Sequence, residues 1–180
     1  MNNNHLVLIS GKSGSGKSAS LMGVDKPEGV MYLNCENGKK LPFKPKFKEL
    51  IVIDPVQVYQ AFEEAEKMPD VHTIVIDTLT YLMDMYESTK VLNSSNTMQA
   101  WGQYAQYMKV LMSQIVAKSS GYAITPEDKA LGFKYVYQTR LTKETVNERI
   151  RAPMGMWDIK ATYIDNNLQK VINRLHEYYK

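Results

Sequence analysis

The sequence predicts an α/β fold, in which a mainly parallel sheet is flanked by helices and is followed by a C-terminal hairpin and helix. Short apolar runs of strand length alternate with segments whose apolar residues recur at helical spacing, which is typical of a parallel sheet. The last third of the chain instead alternates as a hairpin and ends in an amphipathic segment. We therefore expect a core over residues 1–120 and a C-terminal part over residues 121–180, packed as one domain.

Apolar runs and their turn residues place the individual elements. Asp54 and Pro55 are typical of a helix start, as the N-cap and the first helical residue. The strands are predicted over residues 5–10, 30–34, 50–53 and 73–76. The helices are predicted from Asp54 to Pro69 and over residues 79–92 and 97–118.

The longest predicted helix carries an apolar stripe. Its members lie three or four residues apart, so we expect them to share one face and to pack in the core. They are Met98, Trp101, Ala105, Met108, Met112 and Ile115. Beyond this helix, residues 133–141 alternate as a strand, residues 145–150 are expected to return as its partner, and Asp165 is expected to cap a last helix.

The composition limits the class of protein. The chain has 180 residues, of which 23% are charged, so a folded domain is expected and disorder is not. The single cysteine, Cys35, excludes a disulfide within the chain and fits a reducing compartment. Neither a membrane-length apolar run nor a signal-peptide pattern is present, so we expect a cytoplasmic protein without a membrane partner.

Residues 11–18 carry the strongest chemical signal, because they fit the phosphate-binding pattern G-x-x-x-x-G-K-[ST] between a strand and a predicted helix. The glycines allow positive φ, so the loop N–H groups can point inward at a phosphate, next to a helix N-terminus. Lys17 would reach the phosphate oxygens, and the Ser18 hydroxyl would ligate Mg²⁺. The predicted nucleotide-binding residues are Gly11, Lys12, Ser13, Gly14, Ser15, Gly16, Lys17 and Ser18.

Two carboxylates follow predicted strands. Asp77 ends an apolar run, as an aspartate that holds Mg²⁺ through water opposite Ser18 would do; the alternative is a helix cap. Glu36 falls just past the second strand, at the edge where ligands bind in open α/β sheets. It is a candidate base for the water that attacks a phosphate; the alternative is an exposed acid in a turn beside Asn37 and Gly38.

Together these motifs resemble the RecA/Rad51 ATPase core, and more narrowly the phage-type P-loop nucleotide-binding proteins associated with single-strand annealing and recombination. The stretches that carry the resemblance are residues 11–18, 34–47, 74–84, 101–106 and 125–151. The resemblance implies an Mg-ATP-binding ATPase with Lys17 and Glu36 as catalytic residues. It also implies action on single-stranded DNA, assembly into a homo-oligomer, and phage or host recombination proteins as partners in the host cytoplasm.

One family feature is not found where it is expected. That family has another apolar strand after the long helix, between the P-loop strand and the strand that ends at the Asp77 position, and it ends in a polar residue that senses the γ-phosphate. Here only residues 122–124 separate the end of the helix from the next turn, which are too few for that strand. No sensor residue is therefore predicted.

Two basic segments are candidates for DNA contact. Residues 39–48 interleave lysines with phenylalanines, which suits backbone charge and base stacking. The second group surrounds the predicted hairpin, where an arginine is also a candidate finger for ATP on a neighbouring subunit. The alternatives are a solvated lysine loop and an ordinary polar hairpin. The candidates are Lys39, Lys40, Phe43, Lys44, Lys46, Phe47 and Lys48, and Lys134, Arg140, Lys143, Arg149 and Arg151.

Two other functions remain open from the sequence. A small-molecule kinase has a similar size and the same loop, although such kinases usually carry an arginine-bearing lid and the arginines here gather late in the chain. A nucleotide-binding interaction module that does not hydrolyse ATP is the other alternative.

Overall fold

The computed structural model of the chain describes residues 7–120, 135–141, 146–151 and 163–178. The chain divides into two compact units. The terminal unit is formed by Met1–Asp25 together with Met112–Lys180, and the central unit by Lys26–Leu111.

The described residues form seven strands and four α-helices. The strands are β1 Val7–Ser10, β2 Val30–Asn34, β3 Lys48–Ile51, β4 Thr73–Asp77, β5 Tyr135–Leu141, β6 Val146–Arg151 and β7 Tyr163–Asp165. The helices are α1 Val56–Lys67, α2 Leu79–Tyr86, α3 Thr97–Ser120 and α4 Leu168–Tyr178. Short 3₁₀ segments cover Ser18–Gly23 and Pro27–Gly29, and a π-helical turn, Glu87–Val91, continues α2.

The central unit is built on a parallel sheet of three strands in the order β3-β2-β4. Every residue of β2 is buried, which explains why this strand reads as an unbroken apolar run in the sequence. The register sets Asn34 level with Ile51 on one side and with Asp77 on the other. The carboxyl ends of all three strands therefore reach the same edge of the sheet.

Helix α1 begins at Val56, one residue later than predicted, so Pro55 and not Asp54 takes the cap position. The Asp54 carboxylate accepts a hydrogen bond of 2.9 Å from the Val56 N–H. A hydrogen bond from Lys90 is the main reason why the pKa of Asp54 lies below its usual value. The strand before α1 runs two residues earlier than predicted, because Lys48 already pairs in register with Met31 of β2.

The apolar stripe predicted for α3 is wrong over its first turns. Met98 is 85% exposed and Trp101 is 45% exposed. Over residues 97–113, where the structure describes the side chains, the buried residues are instead Ala100, Tyr107 and Leu111, which also recur at helical spacing. The predicted stripe residue Ile115 lies outside that range. Tyr107 explains the choice of face, because its ring packs against neighbouring tyrosines and its hydroxyl donates to the Pro55 carbonyl at 2.8 Å. Tyrosine can both pack its ring among apolar neighbours and donate a hydrogen bond, whereas methionine can only pack.

The terminal unit holds a mixed sheet in the order β1-β5-β6-β7. Strands β5 and β6 pair antiparallel, as the predicted hairpin requires, and β7 adds antiparallel to β6. Strand β1 pairs with β5 in parallel, which sets Ser10 level with Gln138. The other neighbour of β5 in this sheet is β6, so β5 is not the strand that the resemblance implies between the P-loop strand and the strand that ends at Asp77.

Helix α4 closes the terminal unit. Its cap is Asn167, whose Oδ1 accepts from the Gln169 N–H at 2.9 Å, so the prediction that Asp165 caps it is wrong. Asp165 instead ends strand β7. The buried face of the helix consists of Leu168, Val171 and Leu175. The helix therefore packs on one apolar face, as expected of the amphipathic segment that the sequence predicts.

The predicted fold class is confirmed. The chain is α/β, with a parallel three-stranded sheet flanked by helices in the central unit. Within the described part of the chain, none of the helices has the length and apolar character needed to cross a bilayer.

We expect the change Gly29→Ala to destabilise the protein. A Cβ at this buried position would collide with the His72 ring and would lie 2.5 Å from the Asp70 backbone carbonyl oxygen, which cannot swing away. Overpacking of this kind costs about 1–3 kcal/mol. In a thermal melt, Tm should fall by about 2–12 °C for a chain of this size.

Gly102→Ala is the matched control, since a Cβ at Gly102 meets nothing within 4 Å on helix α3. There, alanine should raise the free energy of unfolding by about 0.5–1 kcal/mol, because it restricts the unfolded chain. Equal effects of the two changes would contradict the packing described around Gly29.

Candidate nucleotide-binding site

The glycine-rich loop of the terminal unit has the positive φ angles that the sequence predicts for its glycines. Gly14 and Gly16 have φ of 75° and 92°. A Cβ at Gly14 would meet nothing within 4 Å, so the backbone conformation, and not crowding, calls for glycine there. Between them, the Ser15 N–H donates to the Lys12 carbonyl at 3.1 Å. The loop is thus a tight turn that follows directly on β1.

Lys17 folds back over this loop. Its Nζ donates to the carbonyl oxygens of Gly11 and Lys12, at 3.0 Å each. The predicted helix after the loop is present as a 3₁₀ segment of six residues, Ser18–Gly23. Because that segment is short, the loop amides and the Lys17 ammonium are the main sources of positive potential for an anion.

The Gly16 carbonyl receives two hydrogen bonds. The Ser20 N–H donates to it at 3.0 Å, and the Asn166 Nδ2 donates to it at 3.0 Å from just before α4. Sequence reasoning missed Asn166, because nothing local connects it with a loop 150 residues earlier. An asparagine directly before a helix cap reads only as a turn residue.

Glu36 lies on a tight turn at the carboxyl end of β2. The Lys39 N–H donates to the Glu36 carbonyl at 3.1 Å across the turn, and Asn37 and Gly38 both have positive φ, as in a type I′ turn. The fully buried Asn34 supports it: its Oδ1 accepts from the Glu36 N–H at 3.1 Å, and its Nδ2 donates to the Lys39 carbonyl at 3.0 Å. The Asn34 Nδ2 also donates to Glu49 Oε1 at 2.7 Å.

The Glu36 side chain is engaged by Lys39. Its Oε2 accepts from the Lys39 Nζ at 2.5 Å, and only 14% of the Glu36 side chain is exposed, against 69% for Lys39. This hydrogen bond is the main cause that raises the pKa of Lys39 above its usual value. The carboxylate is therefore placed at the sheet edge, with an exposed lysine as its partner.

Asp77 ends β4 in the same unit and is 8% exposed. Tyr32 donates its hydroxyl to Asp77 Oδ2 at 2.6 Å, and the Cys35 N–H donates to the Asp77 carbonyl at 2.8 Å. Burial, and then the bond to Asp77, raises the pKa of Tyr32, so Tyr32 stays a donor at neutral pH. Thr78, not Asp77, is the N-cap of α2, which removes the helix-cap alternative for Asp77.

The Asp77 oxygens fit Mg²⁺, which prefers hard oxygen ligands and keeps few protein ligands when it also binds phosphates. Tyr32 orients the carboxylate, as partners of ligating groups commonly do. Among the described residues there is no cluster of three or more histidine, cysteine or acidic side chains that would hold a metal without a nucleotide.

Cys35 is a small buried residue at the end of β2. It is 2% exposed, and burial raises the pKa of its thiol to about 12. The thiol therefore stays protonated at neutral pH and is not a nucleophile.

The basic loop, residues 39–48, has fewer unpaired lysines than its composition indicates. Lys39 and Lys46 pair with Glu36 and Glu28, and Lys48 pairs with Asp70 at 2.5 Å. Phe47 packs against Tyr32 and Phe43, with ring centroids 5.9 Å apart in each case. Among the described residues, the two lysines of this loop without an ion pair are Lys40 and Lys44, and both are exposed.

The second basic group lies in the terminal unit. Arg140 is on β5, and Arg149 and Arg151 are on β6. Since Ser10 is level with Gln138, Arg140 lies two residues beyond the carboxyl end of β1, toward the edge from which the glycine loop emerges. Lys134 and Lys143 fall outside the described residues.

Comparison with known proteins identifies the family. A family model described as an AAA domain matches residues 3–124, which is more than half of the chain and includes the glycine loop, Glu36 and Asp77. No curated protein matches the chain. The chain therefore belongs to the AAA domain family and is a nucleotide-binding domain of the P-loop NTPase type.

Proposed function

We propose that this protein hydrolyses ATP with Mg²⁺, and that single-stranded DNA acts at the basic loop to promote hydrolysis. The observation that carries the proposal is the pair between Glu36 and Lys39. It joins a carboxylate at the carboxyl edge of a parallel sheet to the first lysine of the basic loop. The narrower reading, a RecA-like ATPase in phage recombination or annealing, is supported by the sequence resemblance alone.

Each residue takes a role that its chemistry allows. Lys17 and the loop amides hold the phosphates, and Ser18 and Asp77 are the residues that would hold Mg²⁺. The metal, when bound, neutralises charge that develops on the phosphate oxygens. Glu36 accepts a proton as the oxygen of a water molecule bonds to the γ-phosphorus. The bond from that phosphorus to the bridging oxygen breaks, and ADP leaves with its electron pair.

Lys39 would allow DNA to influence the rate of hydrolysis, because it contacts Glu36. While Oε2 of Glu36 is occupied by the Lys39 ammonium, that oxygen is not available to receive a proton from water. Lys39 is exposed and next to Lys40, so a polyanion on the basic loop would compete for its charge. DNA bound there would release Glu36 and raise the rate of hydrolysis.

We expect the change Glu36→Gln to keep ATP binding and to abolish hydrolysis. The amide is nearly isosteric with the carboxylate but cannot take a proton, and loss of a general base typically costs about 10²–10⁴ in rate. Mg-ATP at a hundredfold over its Kd should stabilise the variant by about 2.7 kcal/mol, as it stabilises the native protein. That is a rise in Tm of about 5–10 °C in a thermal-shift assay.

Two further variants serve as controls. Lys17→Ala should lose both the thermal shift and hydrolysis, because it removes the cation of the phosphate loop. Glu64→Gln makes the same chemical change on the exposed face of α1 and should keep the native rate. A rate for Glu36→Gln within twofold of the native protein would return Glu36 to the role of a turn residue.

We expect Lys39→Ala to raise ATP hydrolysis measured without DNA and to reduce its stimulation by a single-stranded oligonucleotide. The variant frees Glu36 Oε2 without DNA, so DNA has less left to release. Phosphate release with and without the oligonucleotide gives both values. Lys67→Ala breaks a similar pair with Glu64 on α1 and should change neither. If Lys39→Ala leaves the stimulation by DNA intact, the pair does not couple the loop to the reaction.

We expect a salt titration of oligonucleotide binding to separate charge from stacking in the basic loop. Each neutralised phosphate contributes a slope of about −0.7 in single-stranded DNA, so replacing Lys40, Lys44 and Lys46 by alanine should flatten the slope by about 2 units. Phe43→Ala should instead cost about 1–3 kcal/mol per stacked base with an unchanged slope. Phe47 is unsuitable as a probe because it packs on Tyr32.

The matched control replaces Lys67 and Lys109, which are exposed lysines of helices α1 and α3 in the same unit. Fluorescence anisotropy of a labelled oligonucleotide measures all variants. If the loop variants bind like the native protein at every salt concentration, the basic loop is not the DNA site, and the arginines of β5 and β6 become the remaining candidates.

A further inference from the structure

We propose that Asn166 is a positioning residue of the phosphate-binding loop. Its side-chain amide holds the Gly16–Lys17 peptide in the orientation that turns the Lys17 N–H toward bound phosphate. The inference rests on nucleotide binding at this loop, as proposed above, and it adds a residue outside the sequence motif.

The hydrogen bonds at the Gly16 carbonyl are the primary observation. Asn166 Nδ2 donates to this oxygen at 3.0 Å, and the Ser20 N–H donates to it at the same distance. A carbonyl oxygen has two lone pairs, so these two donors complete its hydrogen bonding. One donor belongs to the loop's own helical segment, and the other comes from the far end of the sequence.

The orientation of this carbonyl matters because a peptide group is planar and trans. The N–H of Lys17 must point opposite to the C=O of Gly16, so a donor that holds the oxygen also aims the hydrogen. Gly16 has φ of 92°, a conformation in which no Cβ restricts rotation of the peptide plane. The loop itself therefore restricts the orientation of this peptide only weakly. A hydrogen-bond donor from outside the loop supplies the restriction that a Cβ at this position would otherwise give.

Asn166 is well placed to act as that donor. It directly precedes Asn167, the cap of α4, and α4 is anchored by the buried Leu168 and Val171. Gln169 of the same helix accepts from the Asp25 N–H at 2.9 Å, just beyond the 3₁₀ segment. The start of α4 thus bonds to both sides of the segment Ser18–Gly23, with Asn166 at its phosphate end.

The chemistry requires an amide at this position. Aspartate has nearly the same shape, but its carboxylate cannot donate and would place negative charge against the carbonyl lone pairs. Alanine removes the donor and leaves the carbonyl with Ser20 alone. The two substitutions should therefore act in the same direction, with aspartate the more severe, although neither touches the motif.

The experiment measures Kd for Mg-ADP and Mg-ATP by isothermal titration calorimetry in the native protein and in Asn166→Ala, Asn166→Asp and Gln169→Ala. Loss of one neutral hydrogen bond corresponds to a rise in Kd of about 3- to 10-fold for Asn166→Ala, with a larger rise for Asn166→Asp. Gln169→Ala removes a bond from the same helix on the side away from the phosphates, so its Kd should stay within twofold of the native value.

Two readouts separate positioning from general stability. The nucleotide-free Tm of Gln169→Ala should fall, because its side chain loses the bonds to the Asp25 N–H and to Asn173, while its affinity for nucleotide stays near the native value. The ¹H–¹⁵N resonance of the Lys17 amide should shift in both Asn166 variants and stay in place in Gln169→Ala. KM for ATP should rise in the Asn166 variants with kcat nearly unchanged, because Glu36 is unaltered.

The outcomes distinguish this inference from the proposed function. If the native protein binds nucleotide and the Asn166 variants bind it equally well, Asn166 is not a positioning residue, and the proposed function stands. If all three variants lose affinity in proportion to their loss of Tm, the role of Asn166 is structural and the inference falls. If the native protein binds no nucleotide, the proposed function and this inference fall together.

Discussion

Strand β2 pairs in parallel with β3 on one side and with β4 on the other. This pairing determines which residues meet where the three strands of the central sheet end. The register sets the end of β2 level with Asp77, and Asn34 is the residue at that end. Asn34 has no exposed surface, so its amide must be satisfied internally. It meets that demand by bonding to the turn that carries Glu36. The position of the Glu36 backbone thus follows from strand pairing and one buried amide, before any ligand is considered.

Local patterns in the sequence were enough to predict what local interactions decide. The positive φ angles of the glycine loop, the buried strand β2, a start of α1 within two residues of Asp54 and the turn at Asn37 and Gly38 are all present. Each depends on the backbone freedom or hydrogen bonding of residues within one turn. Such features are specified wherever the rest of the chain lies. The candidate carboxylates Glu36 and Asp77 could be found for the same reason, since each closes a recognisable strand.

Features decided by distant contacts could not be predicted in this way. On α3, two sets of apolar residues recur at helical spacing, and only the tyrosines that pack against Tyr107 select the buried set. The contact of Asn166 could not be predicted either, because its partner is the carbonyl of Gly16 in another part of the sequence. The ion pairs of the basic-loop lysines also depend on the fold. Composition counts their charges, but the ion pairs that engage three of them appear only in the fold.

The terminal unit is assembled from two segments that are far apart in the sequence, and this affects the order of folding during synthesis. The central unit is one continuous segment, Lys26–Leu111, so all of its strands emerge from the ribosome together. The glycine loop is made before the central unit, but β1 finds its partner only in Tyr135–Leu141, and Asn166 comes later still. Closing contacts this far apart in sequence is slow. In a nascent chain, β1 and the glycine loop therefore gain these partners only after the whole central unit has been made.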